Sequence, residues 1–232
     1  MSHVRAVSPR QQSMISTTKA LPTFGILFAT IVWGSTFFII KDALNVLHPM
    51  MLISQRFALA TLIAFFFVIV KKKKLFLEWK NGFFLGALVW VGYVTQTWGL
   101  IYTSSSNSGF ITGLFLFFIP VFEYLFFRKV PTVKQVFAMC IALFGLWLLT
   151  GGISEMNRGD VLTLINAMVY ALYVIWVDKK VKGDCDLIIL NFQQFFVITL
   201  LSIATMIVLR VPLNFGNAVS FSGILYLAIM AT

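Results

Sequence analysis

Charged residues are rare in this sequence, and acidic residues are rarer than basic ones. Only 11% of the 232 residues are charged, with 8 Asp and Glu against 18 Lys and Arg, whereas 59% are hydrophobic. A soluble domain of this size needs far more charged surface to cover so much apolar area. The composition therefore excludes an ordinary soluble protein and indicates a chain that lies in a lipid bilayer.

Residues suited to catalysis are also rare. The sequence has 2 histidines and 2 cysteines, and Cys140 and Cys185 have neither CxxC nor metal-ligand spacing. The histidines, His3 and His48, lie outside the apolar runs. No H-E-x-x-H, G-x-S-x-G or P-loop motif occurs. We therefore predict that the protein is not an enzyme and has no catalytic residue, no metal site and no cofactor.

Long apolar runs are what the chain has instead. A helix that crosses a membrane needs roughly 20 apolar residues, and strands of a barrel would show alternating polarity, which is absent. The sequence thus predicts an all-α integral membrane protein with seven spanning helices and part of an eighth. The predicted spans are Leu21–Ile40, Pro49–Val70, Gly82–Tyr102, Asn107–Phe127, Val133–Thr150, Asp160–Val177, Leu187–Leu209 and a last run that starts at Val219.

Basic residues alternate between the gaps that separate these runs. One set of gaps, which includes Lys71–Lys74, holds 14 Lys and Arg, and the alternate gaps hold only Lys41, Arg158 and Arg210. Cytoplasmic loops carry the excess of basic residues in membrane proteins. We therefore predict a multi-pass protein of the cell membrane with a cytoplasmic N-terminus. Because the basic residues lie in these gaps, we interpret the net charge of +10 as a determinant of the orientation of the protein in the membrane and not as a nucleic-acid-binding surface.

The hydropathy pattern repeats within the chain. A shift of 137 residues aligns Trp33 with Tyr170 and Gln55–Phe57 with Phe192–Gln194. Five helices separate the two copies, and an odd number places the second copy upside down in the membrane. Inverted repeats of this kind are typical of transporters that work by alternating access.

Several short segments resemble the EamA family of the drug/metabolite transporter superfamily. The segments are Trp33–Phe37 running to Lys41, Pro49 with Arg56–Phe57 and Ala60, Gly99–Ser104 followed by Asn107–Gly113, Pro120, Gly145–Leu149, and Gly159–Asp160 with Ala167. The resemblance implies a bundle of two inverted five-helix repeats, in which ten helices are expected. It divides the chain into a disordered cytoplasmic tail at 1–20, a first repeat at 21–150 and an incomplete second repeat at 159–232.

The resemblance also implies a function. Family members move small organic solutes, and many export amino acids or related metabolites. We therefore expect a secondary transporter that exports amino acids or similar neutral or zwitterionic solutes. Its partners would be a small-molecule substrate and the lipid bilayer, with proton coupling and a homodimer as further hypotheses. The alternative is a non-transporting membrane fragment, or a half-assembly that needs a partner chain.

Polar and aromatic residues inside the spans are the candidates for a substrate cavity. Asn166, Tyr170 and Tyr173 share one face of the sixth helix, and the repeat shift relates that face to the first helix. Hydrogen bonding between packed helices is the alternative role for such residues. The predicted cavity residues are Trp33, Thr36, Tyr93, Gln96, Asn107, Asn166, Tyr170 and Tyr173, on the first, third, fourth and sixth helices.

Three more residues are candidates for coupling or gating. Arg56 could bind a substrate carboxylate, pair with Asp42 or extend to the lipid headgroups. Glu123 could carry a coupling proton or form a salt bridge with the basic residues that follow its helix. Gln193 is an intramembrane amide that could bind substrate or join helices. We also predict close helix packing at Gly82-x-x-x-Gly86 and a helix interruption at Pro120.

Overall fold

The computed structural model describes residues 9–75, 77, 79–150, 156–183 and 185–232, with side chains for all of these except 9–23, 149 and 150. This part of the chain is a bundle of nine helices without a strand. The helices are α1 (Pro9–Ala43), α2 (Pro49–Val70), α3 (Trp79–Tyr102), α4 (Ser105–Gly113), α5 (Phe115–Phe127), α6 (Val133–Thr150), α7 (Arg158–Val181), α8 (Leu187–Val208) and α9 (Ala218–Met230).

The predicted all-helical membrane fold is confirmed. Six segments of the described chain are long and apolar enough to cross a membrane, if α4 and α5 are taken together as Ser105–Phe127. Two shorter apolar helices, Val133–Leu148 and Ala218–Met230, correspond to the fifth and eighth predicted runs. Many large apolar side chains on the outside of the bundle are exposed. In a bilayer these side chains contact lipid, so they do not need a protein partner.

The first helix starts earlier than the sequence suggested. Helix α1 begins at Pro9 and runs without a break into the apolar segment Phe24–Ala43. Its first turns therefore occupy part of the segment predicted to be a disordered tail. Glutamine has a good helix propensity, so Gln11 and Gln12 allow the helix to extend towards the N-terminus. Residues 1–8 lie outside the described part, and the domain limits stay a prediction.

The fourth span is interrupted, but not at the predicted residue. Leu114 ends α4 and also precedes α5, whereas Pro120 lies inside α5. The carbonyl of Leu114 accepts hydrogen bonds from the amides of Phe117 and Phe118, at 2.8 and 3.1 Å. The break directly follows Gly113, the last residue of α4, and glycine weakens a helix interior because it loses more conformational freedom on folding than other residues. The prediction of a break at Pro120 itself was wrong.

At one crossing, the backbones of α3 and α7 come into direct contact. A Cβ atom built on Gly99 would lie 2.8 Å from the carbonyl oxygen of Gly159, and one on Gly159 would lie 2.7 Å from the amide of Thr103. Real Cβ atoms do not come this close to backbone. Only glycine at both positions allows the two helices to approach to this distance. Because α3 and α7 share the most extensive contact in the bundle, this crossing holds the two predicted repeats together.

Polar groups reinforce the same end of the bundle. Asp160 is buried at the start of α7, where it forms a capping box with Asn157, and its Oδ1 accepts a hydrogen bond from the hydroxyl of Thr103. The ammonium group of Lys41 donates to the carbonyls of Ile101 and Thr103 at 3.2 and 2.9 Å. These carbonyls belong to the last turn of α3 and the residue after it. A cation at the C-terminus of a helix also stabilises the helix dipole.

Gly82 and Gly86 form a second close contact, as predicted. A Cβ atom on Gly86 would lie 3.0 Å from the carbonyl oxygen of Gln194, and one on Gly82 would clash with Gln193. Helix α3 therefore packs against α7 through one pair of glycines and against α8 through another. Helix α8 also packs along α2, so α2, α3, α7 and α8 form the centre of the bundle.

We predict that Gly159→Ala lowers the melting temperature of the detergent-purified protein. The added methyl group must push against backbone atoms of α3, and overpacking of this kind costs about 1–3 kcal/mol. Gly25→Ala is the matched control, since nothing lies within 4 Å of a Cβ atom at that position. Thermal unfolding of both variants measures the difference. Equal melting temperatures would contradict the assigned α3–α7 contact.

A second prediction concerns the ion pair between the end of α2 and the start of α8. Lys73 Nζ lies 2.6 Å from Asp186 Oδ2, and Asp186 also caps α8 by accepting from the amides of Ile188 and Ile189. The hydrogen bond with Lys73 is the main cause that lowers the pKa of the Asp186 carboxyl, and these amides lower it further, while burial opposes them. Because this pKa is lower in the folded than in the unfolded protein, the ionised carboxylate stabilises the fold at pH values above the ordinary pKa of 3.8. The contribution is lost as the pH falls through the depressed pKa of the folded state.

Asp186→Asn should therefore be less stable than the unchanged protein near neutral pH, by less than about 1 kcal/mol because Lys73 is partly exposed. The difference should vanish below the ordinary carboxyl pKa. Asparagine preserves the helix cap, so the variant isolates the ion pair. Asp178→Asn, in an exposed pair with Lys182 at the C-terminal end of α7, serves as control. Unfolding measured across this pH range tests the prediction, and a difference that persists in acid would rule the ion pair out as its source.

Candidate functional site

A cavity of about 560 Å³ lies in the middle of the bundle. Residues of α1, α3, α4 and α7 line it, and residues of α2, α5 and α8 and those that follow α9 contribute the rest of the described wall. Pockets that bind small organic molecules usually measure roughly 300–1,000 Å³. The cavity is therefore large enough for a metabolite of the size of an amino acid.

Most of the predicted site residues surround this cavity. Eight of the eleven line it: Trp33, Thr36, Arg56, Tyr93, Gln96, Asn166, Tyr170 and Tyr173. Five of them, namely Trp33, Thr36, Asn166, Tyr170 and Tyr173, are the residues that helical periodicity and the repeat shift had related to each other. Their role in binding a substrate stays a prediction.

The other three predicted residues lie elsewhere. Asn107 sits in the first turn of α4, where its amide donates to the capping hydroxyl of Ser104 at 3.0 Å. Glu123 forms an ion pair of 2.7 Å with Lys129, which is the structural alternative considered for it. Gln193 is fully buried between helices, and its side-chain amide donates to the carbonyl of Leu75 at 2.6 Å. None of the three lines the cavity.

Aromatic rings form much of the cavity wall. The ring centroids of Tyr170 and Tyr173 are 5.7 Å apart, and Phe115 meets Tyr170 edge to face at 5.0 Å. Phe57 and Tyr93 form a second edge-to-face pair at 4.7 Å. Pairs in this geometry hold each other in place, so the wall is a preformed apolar surface.

Amide and hydroxyl groups interrupt this apolar wall. The hydroxyl of Thr112 accepts hydrogen bonds from the side chains of Gln96 and Asn166, at 3.2 and 3.3 Å. The three residues come from α3, α4 and α7, so this cluster connects helices of both predicted repeats. Thr112 was not predicted as a site residue, although it lies in the segment Asn107–Gly113 that carries part of the family resemblance.

Gln194 is a further cavity residue that was not among the predicted site residues. It lines the cavity, is 2% exposed, and accepts a hydrogen bond of 2.8 Å from the hydroxyl of Tyr173. Its side-chain nitrogen has no acceptor among the described residues. The sequence marks both Gln193 and Gln194 as intramembrane amides, but neighbouring residues point about 100° apart on a helix, and only the rotation of α8 brings Gln194 to the cavity.

The guanidinium group of Arg56 places a positive charge in the cavity wall. It is 4% exposed, and it donates from Nε to the hydroxyl of Thr232 and from Nη2 to the carbonyl of Ala231, at 2.8 and 2.9 Å. The guanidinium also lies 5.0 Å from the ring centroid of Tyr93. The side chain therefore neither reaches the outside of the bundle nor pairs with Asp42, which were two of the three roles considered for it.

The described part of the chain has no group of three or more His, Cys, Asp and Glu residues placed to hold a metal ion. Among the described residues that line the cavity, none is Asp or Glu. These residues offer the guanidinium of Arg56, several amides and hydroxyls, and aromatic rings. These groups bind by hydrogen bonding, charge and apolar contact.

Comparison with known proteins agrees with this architecture. Residues 21–151 match the EamA-like transporter family. An uncharacterized transporter of Archaeoglobus fulgidus is 32% identical over 178 residues, which is 77% of this chain and 55% of the relative. A second uncharacterized transporter of that organism is 27% identical over 145 residues, or 61% of this chain and 51% of the relative. This chain thus spans about half the length of the curated relatives it matches.

A solved crystal structure has the same fold. It superposes with a TM-score of 0.62 at 14% sequence identity, over 88% of this chain and 72% of that chain. The family match covers more than half of the sequence and includes the segments that line the cavity from α1 to α4. The chain belongs to the EamA-like transporter family.

Proposed function

We propose that the protein is a secondary transporter that moves small organic metabolites through the central cavity by alternating access. The observation that carries the proposal is the cavity itself, which lies between helices of both predicted repeats in a chain of this family. Transporters built from inverted repeats place their substrate near the middle of the membrane, where the repeats meet. The sequence contains no P-loop, so the proposal does not include nucleotide hydrolysis.

The contacts around the cavity support such a mechanism. At one end, Lys41, Thr103 and Asp160 join α1, α3 and α7 by hydrogen bonds, next to the contact between Gly99 and Gly159. Hydrogen bonds can break and form again, and helices that meet through glycine can slide past each other. We propose that this end is closed in the described conformation and opens when the two repeats rock against each other.

The chemistry of the wall supports amino acids or similar zwitterionic or neutral solutes as cargo. We propose export as the direction because the family resemblance implies it. Tyrosine and phenylalanine rings can contact an apolar side chain of the solute, and side-chain amides can form hydrogen bonds with its amino and carboxyl groups. We further propose the cell membrane as the location, with the N-terminus in the cytoplasm. Proton coupling through Glu123 and a homodimer stay hypotheses, and the pairing of Glu123 with Lys129 favours a structural role for that acid.

The proposed orientation predicts the labelling of native cysteines. Cys185 lies between α7 and α8, beside one of the basic clusters, and Cys140 lies within α6. In a Cys140→Ser background, a membrane-impermeant maleimide should label Cys185 only after the cells are permeabilised. A second variant, in which Cys185 is also replaced and Asn45→Cys supplies the thiol, should be labelled in intact cells, since Asn45 is exposed between α1 and α2. The reverse pattern would mean that the N-terminus lies outside.

The transport proposal predicts flux that depends on the open space of the cavity. Full-length protein in liposomes preloaded with mixed amino acids should take up the labelled mixture by exchange, above empty liposomes. Gly113→Trp should abolish this flux, because Gly113 lines the cavity and nothing lies within 4 Å of a Cβ atom there. Gly25→Trp, which is equally uncrowded but lies outside the cavity, should retain it. Absence of flux in the unchanged protein, or equal flux in both variants, would refute the proposal.

A further inference from the structure

We infer that the transported solute carries a carboxylate group, and that Arg56 binds this group. The inference rests on the proposed function and narrows its substrate class. The family resemblance led us to expect neutral and zwitterionic solutes alike. The position of Arg56 separates these two classes, because a fixed positive charge favours solutes with a negative group over solutes without one.

The first argument is the charge of the cavity. Arg56 lines it and is almost completely buried, while no Asp or Glu in the part of the chain that the structure describes lines it. The ion pairs in the described part of the chain join Lys73 to Asp186, Lys129 to Glu123 and Lys182 to Asp178, and none includes Arg56. A buried charge without a counter-ion is unfavourable. A solute that brings a negative charge into the cavity therefore gains more from Arg56 than a neutral solute does.

The second argument is the geometry of the guanidinium. It has five N–H groups in a planar fork, which matches the two oxygens of a carboxylate. Nε and Nη2 donate to Thr232 and Ala231, whereas Nη1 has no acceptor among the described residues. The rings of Tyr93 and Phe57, at 5.0 and 5.3 Å from the guanidinium carbon, help to hold its orientation. Arg56 is thus positioned in advance and keeps donors available for a ligand.

The third argument is what the remaining wall offers to the rest of the solute. The nitrogen of Gln194 is a second donor without an acceptor among the described residues. Tyr170 and Tyr173 provide apolar ring faces. An ammonium group on the solute meets amide oxygens and ring faces but no carboxylate. The expected order of affinity is therefore monocarboxylates and zwitterionic amino acids first, the amides in which the carboxylate is replaced next, and amines without a carboxylate last.

A structural role for Arg56 is the competing explanation. Ala231 follows the last turn of α9, and its carbonyl is one of the groups that a helix end leaves without a partner inside the helix. By donating to it, Arg56 connects α2 to the end of α9. Loss of this connection would lower stability and total flux, but it would not change the preference between two solutes that differ only in the carboxylate.

The experiment compares matched solutes as inhibitors of the exchange flux described above. One set has a phenyl skeleton, namely L-phenylalanine, 3-phenylpropionate, L-phenylalaninamide and phenethylamine. A second pair has an aliphatic skeleton, namely L-leucine and L-leucinamide. In the unchanged protein, carboxylates should inhibit at concentrations about tenfold or more below those of the matching amides and amines. This first comparison does not depend on the folding of any variant.

Variants then assign the preference to Arg56. Arg56→Gln should remove it, whereas Arg56→Lys should retain part of it, because lysine keeps the charge and loses the planar fork. Arg210→Gln is the matched control, since Arg210 is an exposed arginine outside the cavity. Melting temperatures of all variants are measured in parallel. If Arg56→Gln does not fold, the comparison rests on the reduced preference of Arg56→Lys.

The outcomes separate this inference from the proposed function. No exchange flux of any kind overturns the proposed function and this inference with it. Flux that amides inhibit as well as carboxylates leaves transport standing and overturns the carboxylate. A carboxylate preference that Arg56→Lys and Arg56→Gln fully preserve overturns the assignment to Arg56. Inhibition by chloride at the same concentrations as the carboxylates assigns the residue to an inorganic anion and overturns the inference as well.

Discussion

The close approach of α3 and α7 at Gly99 and Gly159 determines the arrangement of the whole bundle. Because neither residue has a side chain, the backbones touch, and the polar groups of Thr103 and Asp160 come within hydrogen-bonding distance. The buried carboxylate of Asp160 thus accepts a hydrogen bond from the residue that follows α3, so its burial is compensated within the protein. From this crossing the two helices present their polar and aromatic residues to the same central space.

Most polar groups around that space are bonded to each other. Thr112 accepts from Gln96 and Asn166, and Gln194 accepts from Tyr173, so residues of α3, α4, α7 and α8 form local networks. Networks of this kind reduce the cost of polar groups inside a membrane and keep the cavity in one shape. Arg56 differs from them, because its partners are neutral and its charge is not balanced by the described cavity wall. The ligand chemistry that we infer follows from this contrast.

The candidate site could be predicted from the sequence to a considerable extent, for reasons that are specific to helices in membranes. Polar residues within apolar runs are few, and helical periodicity placed Asn166, Tyr170 and Tyr173 on a common face. The repeat shift carried that face to Trp33 and Thr36. The method failed where two adjacent residues had the same chemistry. Gln193 was chosen and Gln194 was not, although only the second lines the cavity.

Membrane insertion, the helical class and the approximate limits of the helices were determined by the sequence alone, because hydropathy and run length are properties of a local segment. The family was likewise evident from short local motifs. The tertiary structure decided which side of each helix faces the cavity, where the fourth span breaks, and that Glu123 pairs with Lys129 while Arg56 has no carboxylate partner among the described residues. These outcomes depend on helix rotation and on contacts between residues far apart in the chain, which local composition does not specify.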